Sequence, residues 1–147
     1  MVLVDSNVLM RVLQRGHPMY KDASQAVRIL HKKKELVLVP QNIVELWVAA
    51  TRPTEVNGLG MTVTRAAMYL ARVRRTFSIL PDSPDIHREW QQLVVEHRVS
   101  GKKAHDTRLV AAMLVHGVQT IVTFNGADFR RYPGINILHP REIFAGQ

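Results

Sequence analysis

Met1-Val2-Leu3-Val4-Asp5-Ser6-Asn7-Val8-Leu9 is the stretch on which the fold turns. Val2 to Val4 is too short an apolar run for a helix and is rich in β-branched residues, so it reads as a buried strand of a parallel sheet. Asp5 ends it. Open α/β sheets place ligands at the carboxyl ends of their strands, and a carboxylate there is costly to desolvate unless something positive meets it. Asp5 therefore marks a candidate site. The plainer alternative is a helix cap, in which Asp5 or Ser6 satisfies the free N–H groups ahead of Asn7-Val8-Leu9-Met10-Arg11-Val12-Leu13.

Outward from that strand, residues 8–14 are expected to form a short helix stopped before Gly16 and Pro18. Residues 21–33 carry Ala23, Ala26, Val27 and Leu30 at helical spacing, with a basic end suited to the negative pole of the helix dipole. Residues 36–39 read as a strand. Pro40-Gln41-Asn42 turns the chain into a third helix, expected to bury Val44, Trp47, Val48 and Thr51 and to end at Arg52-Pro53. Asn57-Gly58-Leu59-Gly60 is a glycine-rich loop; it follows a helix and lacks the Gly-Lys-Thr ending of a phosphate-binding loop. Residues 64–75 are expected as a helix and 77–80 as a strand. Ser83 and Pro84 open a helix, as cap and first helical residue, whose Ile86, Trp90, Leu93, Val94 and His97 share a face. A helix over 104–116 ends at Gly117, a strand follows over 120–123, and after an irregular polar stretch residues 135–138 make a short edge strand. Strands alternating with helices place the chain in the α/β class, as a three-layer α/β/α sandwich around a central parallel sheet. A chain of 147 residues, 46% hydrophobic, has room for one core, so residues 1–147 are read as a single domain.

The absence of cysteine excludes disulfides, thiolate catalysis and cysteine-bound zinc together. No apolar run approaches the roughly 20 residues that a membrane span requires, so a soluble, cytoplasmic protein is expected. Lys and Arg number 20 against 12 Asp and Glu, and the isoelectric point is near 10.4. Such a surface attracts polyanions, nucleic acid above all. The cations are clustered, at Lys32-Lys33-Lys34, at Arg72 with Arg74-Arg75, at Lys102-Lys103 and at Arg130-Arg131.

In a basic chain most acids should sit among polar neighbours, as Asp22, Glu35, Asp82, Asp85, Glu89 and Glu142 do. Asp5, Glu45 and Asp106 instead lie inside or beside apolar runs, each at or just after a junction that leads into a helix. The alternating topology brings all three toward the carboxyl edge of the sheet. Crowded carboxylates raise one another's pKa and persist ionised only around a cation. Oxygen ligands without cysteine or a paired-histidine motif select Mg or Mn. Such an ion beside a polyanion-attracting surface points to phosphodiester hydrolysis. Taken separately, each acid has a plainer role as a cap or an ion-pair partner, for instance Asp106 with Arg108 or Glu45 with Arg52. The seven histidines share no pattern; His105, beside Asp106, is the one placed to touch a substrate.

Four segments together resemble the PIN-domain nucleases, and more narrowly the VapC-type toxins of toxin–antitoxin pairs: Val4-Asp5-Ser6-Asn7-Val8-Leu9, Asn42-Ile43-Val44-Glu45-Leu46, Ala104-His105-Asp106-Thr107-Arg108-Leu109, and Val122-Thr123-Phe124-Asn125-Gly126-Ala127-Asp128-Phe129. Thr51-Arg52-Pro53 and the glycine-rich loop extend the likeness through the middle of the chain. The resemblance implies that Asp5 and Asp106 are direct ligands of a Mg or Mn ion, and that Glu45 completes the acidic cluster and orients water. Ser6 stands where such families carry Thr or Ser beside the first acid. Many PIN domains have a fourth Asp shortly after the Thr of the last motif; here that place holds Asn125, and Asp128 is the candidate replacement. Ser6, Asn7, Thr123, Asn125, Lys102, Lys103, Arg130 and Arg131 are the expected substrate contacts. The resemblance further implies ribonuclease activity, a homodimer, and a small antitoxin that wraps the apolar helices and blocks the acidic pocket. A phosphotransferase of the haloacid-dehalogenase type is excluded because it needs a second Asp where Asn7 stands. The remaining alternative is a catalytically idle PIN-like module that only binds RNA or protein, although an idle site has no reason to bear three embedded acids.

Overall fold

The structure, a computed structural model, describes residues 1–145. Its elements follow in the order β1 (Val2–Val4), α1 (Ser6–Val12), α2 (Tyr20–Lys32), β2 (Leu36–Leu38), α3 (Pro40–Thr51), α4 (Val63–Thr76), β3 (Ser78–Ile79), α5 (Pro84–Glu96), α6 (Lys103–His116), β4 (Thr120–Val122), β5 (Asn136–Leu138) and α7 (Glu142–Ala145). Single 3-10 turns sit at Thr54–Val56 and Gly126–Phe129. The five strands are parallel, in the order β3-β2-β1-β4-β5, so the opening strand lies at the centre. Val2 pairs with Leu36 on one side and with Thr120 on the other. The expected α/β/α sandwich with a central parallel sheet is what the chain forms.

The period of two along each strand divides the core between the sheet's faces. Leu3, Val37 and Ile121 pack with Ile86, Leu93, Leu109, Val110 and Met113 of α5 and α6. Val4, Leu36, Leu38 and Val122 turn the other way, onto Val8, Leu9, Val27, Leu30, Ile43, Leu46 and Val73 of α1 to α4. A strand covered on both faces has no reason to alternate with polar residues, which is why Val2-Leu3-Val4 is apolar throughout.

Two expectations are corrected. Helix α3 does not bury Val44, Trp47, Val48 and Thr51; its inward face is Asn42, Ile43, Leu46, Ala49 and Ala50, while Val44 is 64% and Val48 50% exposed. The rotation is set at the first turn. Buried Asn42 accepts the Val39 N–H on its side-chain oxygen at 2.8 Å, so the inward side begins at residue 42. Ala49 and Ala50 then offer their carbonyls to Leu59 and Met61 at 2.9 and 2.8 Å, which closes the glycine-rich loop onto the helix end. Ser83 does occupy the cap position of α5 ahead of Pro84, but its hydroxyl is buried and makes no hydrogen bond among the described residues.

Because the strands are parallel, their carboxyl ends share one edge. Helices α1 and α3 start there directly after β1 and β2, and α6, which returns antiparallel to β4, starts there too. Among the described residues no helix is long and apolar enough to cross a membrane.

Candidate active site

Asp5 sits between β1 and α1, and its backbone does the capping: its carbonyl accepts from the N–H groups of Val8 at 3.0 Å and Leu9 at 3.4 Å. The carboxylate makes no cap hydrogen bond and faces the sheet edge, 8% exposed. The site reading of Asp5 thus stands beside the cap geometry, with the two roles divided between side chain and backbone.

Hydroxyl and amide groups hold the acids. The Thr123 hydroxyl donates to Asp5 Oδ2 at 2.7 Å, and it accepts from Asn7 Nδ2 at 3.3 Å and the Asn125 N–H at 3.0 Å. Asn7 in turn accepts the Phe124 N–H at 3.4 Å, so α1 and the segment after β4 are laced together. The Ser6 hydroxyl donates to Glu45 Oε2 at 2.7 Å and lies 3.4 Å from Asp5 Oδ1. Gln41, one helical turn before Glu45, donates to Glu45 Oε1 at 2.8 Å and to the His105 carbonyl at 2.7 Å. Its side-chain oxygen accepts from Arg108 at 3.3 Å. Gln41 therefore joins α3 to the start of α6, a role the sequence reading assigned only to a turn.

Asp106 lies in the first turn of α6. That turn is anchored from behind. The Tyr132 hydroxyl meets Thr107 Oγ1 at 2.5 Å, Thr107 donates to the Lys103 carbonyl at 3.0 Å, and the Trp90 indole donates to the Ala104 carbonyl at 2.9 Å. The ion pairs weighed as plainer roles do not form. Arg108 pairs with Asp82 at 3.3 Å, and Arg52 donates to the Asn57 carbonyl at 2.8 Å.

Burial pushes Asp5 up to about 6; the Thr123 hydroxyl pulls it back, and the charges of Glu45 and Asp106 add to the rise. Asp106 is also pushed up to about 6, by burial first, then by Asp128 and Glu45, against the opposing charges of His105 and Lys103. Asp5 thus feels Glu45 and Asp106, and Asp106 feels Glu45 and Asp128. Among the described residues no cation lies within ion-pair distance of any of the four. The donor set is all oxygen, which suits a hard divalent ion. No three acidic or histidine side chains among the described residues stand ready as a closed ligand cage. An all-oxygen set of one or two carboxylates with waters completing the shell is the way Mg is commonly held.

A cleft of about 710 Å³ runs along the site, walled by Ser6, Glu45, Lys102, His105 and Asn125 at one end and by Val44 and Val48 along its side. A smaller hollow of about 530 Å³ contains Thr123, Asn125, Asp128 and Arg130. Lys103 is exposed at the start of α6, whereas Arg131 reaches back to the His97 carbonyl at 3.5 Å, at the end of α5. Neither Lys103 nor Arg131 lines either hollow, and Thr123, 1% exposed, is committed to Asp5.

A sequence model of the PIN domain matches residues 2–135. The chain belongs to the PIN domain family. No curated protein sequence matches this chain. Among solved structures it is similar to VapBC2 of Rickettsia felis bound to a promoter DNA fragment, with 14% identity and a TM-score of 0.71 over 95% of this chain and 98% of that one. It is similar also to VapC20 of Mycobacterium tuberculosis, described as a sarcin-ricin loop cleaving toxin, with 18% identity and a TM-score of 0.67 over 88% and 94%. A toxin–antitoxin complex from Klebsiella pneumoniae is 23% identical, with a TM-score of 0.64 over 95% and 98%. At these identities the likeness is one of PIN fold.

Asp128 is half-buried in the 3-10 turn, and among the described residues no hydrogen bond engages its carboxylate. A capping carboxylate would be so engaged. Asp128→Ala is expected to weaken divalent-metal affinity and lower activity about tenfold or less, while Asn125→Asp is tolerated or tightens metal binding. Metal titration of both variants checks this. Lowered stability of Asp128→Ala with unchanged metal affinity would return the residue to a structural role.

Proposed function

We propose that this PIN domain is the toxin of a VapC-type toxin–antitoxin pair, a cytoplasmic endoribonuclease dependent on Mg or Mn. The observation that carries this reading is the convergence of Asp5, Glu45 and Asp106 from the β1–α1 junction, α3 and α6 onto one sheet edge, with Asp5 and Asp106 pushed up to about 6 by burial and by neighbouring carboxylates. A fold bears such a cost where the charge is used.

Asp5 and Asp106 would hold the ion, and when bound it supplies Lewis acidity and charge neutralisation at the phosphate. The chain's own residues do the rest. Thr123 fixes the Asp5 carboxylate at Oδ2 through its hydroxyl, which leaves Oδ1, 3.4 Å from the Ser6 hydroxyl, as the oxygen that would take part in holding the ion. Glu45, held at one oxygen by Ser6 and at the other by Gln41, is oriented to accept a proton from the attacking water. Lys102, Lys103 and Arg130 supply attraction to the RNA backbone without reading its sequence. The solved relatives include toxin–antitoxin complexes, and Val44 and Val48 leave an apolar strip beside the cleft for a small antitoxin. The same reading includes a homodimer.

The test separates this reading from that of an idle module. Mn or Mg at about a hundred times its dissociation constant should stabilise the native state by about 2.7 kcal/mol, or roughly 5–10 °C in melting temperature for a chain of this size. RNA should be cut in the same buffers and left intact after chelation. A module without thermal shift or cleavage would be a binding domain only.

A further inference from the structure

The end of the cleft away from the acids is basic. Arg11 of α1 and Arg52, which follows α3, both line it, together with Asn57. Pro53 holds Arg52 in extended backbone (φ −62°, ψ 143°), which ends the helix there and leaves the side chain against the glycine-rich loop. Burial, with the charge of Arg52 added, lowers the Arg11 guanidinium below its ordinary pKa. Two cations have thus been brought into one partly enclosed space. Among the described residues no carboxylate lies within ion-pair distance of either. Arg11 Nη1 donates to Gln14 at 2.6 Å and Arg52 Nη2 to the Asn57 carbonyl, while Arg52 Nε is buried with no hydrogen-bond partner among the described residues. Apart from that buried Nε, the remaining N–H donors of the pair are available to an anion that neither the sheet nor the loop supplies.

We propose that Arg11 and Arg52 form a second phosphate subsite, which grips the RNA backbone on one side of the bond to be cut. At 1.5 Å per residue, Glu45 and Arg52 stand about 10 Å apart along α3, and Ser6 and Arg11 about 8 Å apart along α1. The pair therefore takes a phosphate close to the scissile one rather than the scissile phosphate itself. Planar guanidinium forks suit this task, since each presents parallel N–H donors to two phosphate oxygens. The subsite gives the cleft a polarity, with metal-binding carboxylates at one end and a fixed anion clamp at the other. An RNA strand lying across it is thereby set in register. This inference rests on the ribonuclease reading and extends it to residues outside the acidic cluster.

The test measures binding apart from chemistry. In an Asp5→Asn background, which holds RNA without cutting it, the affinity for a labelled single-stranded RNA is followed against salt concentration. Each phosphate contact contributes about 0.7 to the slope of log affinity on log salt for single strands. Arg11→Gln should reduce the slope by about that amount and weaken binding about tenfold at low salt; Arg11→Lys should restore most of the slope. Arg52→Gln should act alike, and because it also loosens the Asn57 loop, the Arg11 pair of variants decides if Arg52→Gln fails to fold. Lys33→Gln, at the opposite edge of the sheet, is the control for bulk charge. In the cleaving protein, Arg11→Gln should raise KM with kcat nearly unchanged. If the wild-type chain cuts RNA but Arg11→Gln matches Lys33→Gln in slope and KM, the subsite is overturned and the nuclease stands. If the chain neither binds nor cuts RNA, both readings fall.

Discussion

Asp5→Asn is expected to abolish RNA cleavage and at the same time to raise the melting temperature of the metal-free protein at neutral pH. Under the proposed function the loss follows from removing a carboxylate that would hold the metal, a charge worth several kcal/mol in the transition state and so on the order of a thousandfold in rate. The gain follows from linkage. Asp5 titrates at 3.8 when free and at about 6 in the folded chain, so the folded state binds this proton more tightly than the unfolded state does. Above about pH 7 the folded chain carries an ionised carboxylate in an environment that disfavours it; as pH falls through 6 towards 4 that penalty disappears. A shift of about two units sets an upper limit of about 3 kcal/mol. Asparagine keeps an oxygen for the Thr123 hydroxyl and carries no charge, so the variant should be about 1–3 kcal/mol more stable than wild type at pH 8 and no more stable near pH 4. Thermal melts across that range, with a cleavage assay alongside, test both halves. Undiminished cleavage would falsify the role of Asp5 as a ligand, and a stability gain independent of pH would show that its charge is not the cause. Added Mg or Mn should stabilise wild type and leave Asp5→Asn nearly unmoved.

Gly58→Ala is expected to be the most damaging single methyl added to the chain. A Cβ built at residue 58 would stand 1.9 Å from the Arg52 carbonyl oxygen and 2.3 Å from its carbon, both backbone atoms that cannot swing aside. The loop would have to lift. It would then surrender the bonds from Leu59 to Ala49, Gly60 to Arg52 and Met61 to Ala50, at 2.9, 2.9 and 2.8 Å, which satisfy carbonyls at the end of α3. Each is worth about 1 kcal/mol, so a loss of about 3 kcal/mol or more is expected. Gly16→Ala is the matched control, because a Cβ at residue 16 meets nothing within 4 Å. Urea unfolding of the two variants side by side measures the difference; equal stability would mean that the loop does not pack on Arg52 as described.

What the sequence discloses and what it withholds differ for physical reasons. The central strand, the alternation of elements and the carboxyl-edge position of Asp5, Glu45 and Asp106 were legible because short β-branched runs and junction acids are local signals. The rotation of α3 was not. Ile43, Val44, Leu46, Trp47, Val48, Ala49 and Ala50 are apolar nearly all the way round the helix, so periodicity has no single stripe to find. The deciding contact is a hydrogen bond from Val39 to Asn42, a side chain that reads as polar surface. Gln41 was missed for another reason: its partner carbonyl is 64 residues away, at His105. In the sequence Arg11 has no assigned role, and Arg52 reads as a helix end, a partner of Glu45 and part of the family likeness, because it is the fold that places the two in one cleft.

The position of β1 between β2 and β4 has a consequence for how the protein is made. The strand that leads into Asp5 is synthesised well before β4, yet it needs β4 to complete its hydrogen bonding, and Thr123, which fixes the carboxylate, lies 118 residues further along. At about 5–20 residues per second a ribosome needs roughly ten seconds to cover that distance. Parallel pairing across so long an interval also folds slowly, because the loop-closure entropy comes before the contacts that offset it. A growing chain therefore has no assembled acidic site until β4 and Thr123 have been made and have left the ribosome. For the ribonuclease proposed above, translation order itself would delay the onset of activity and give the proposed antitoxin time to arrive.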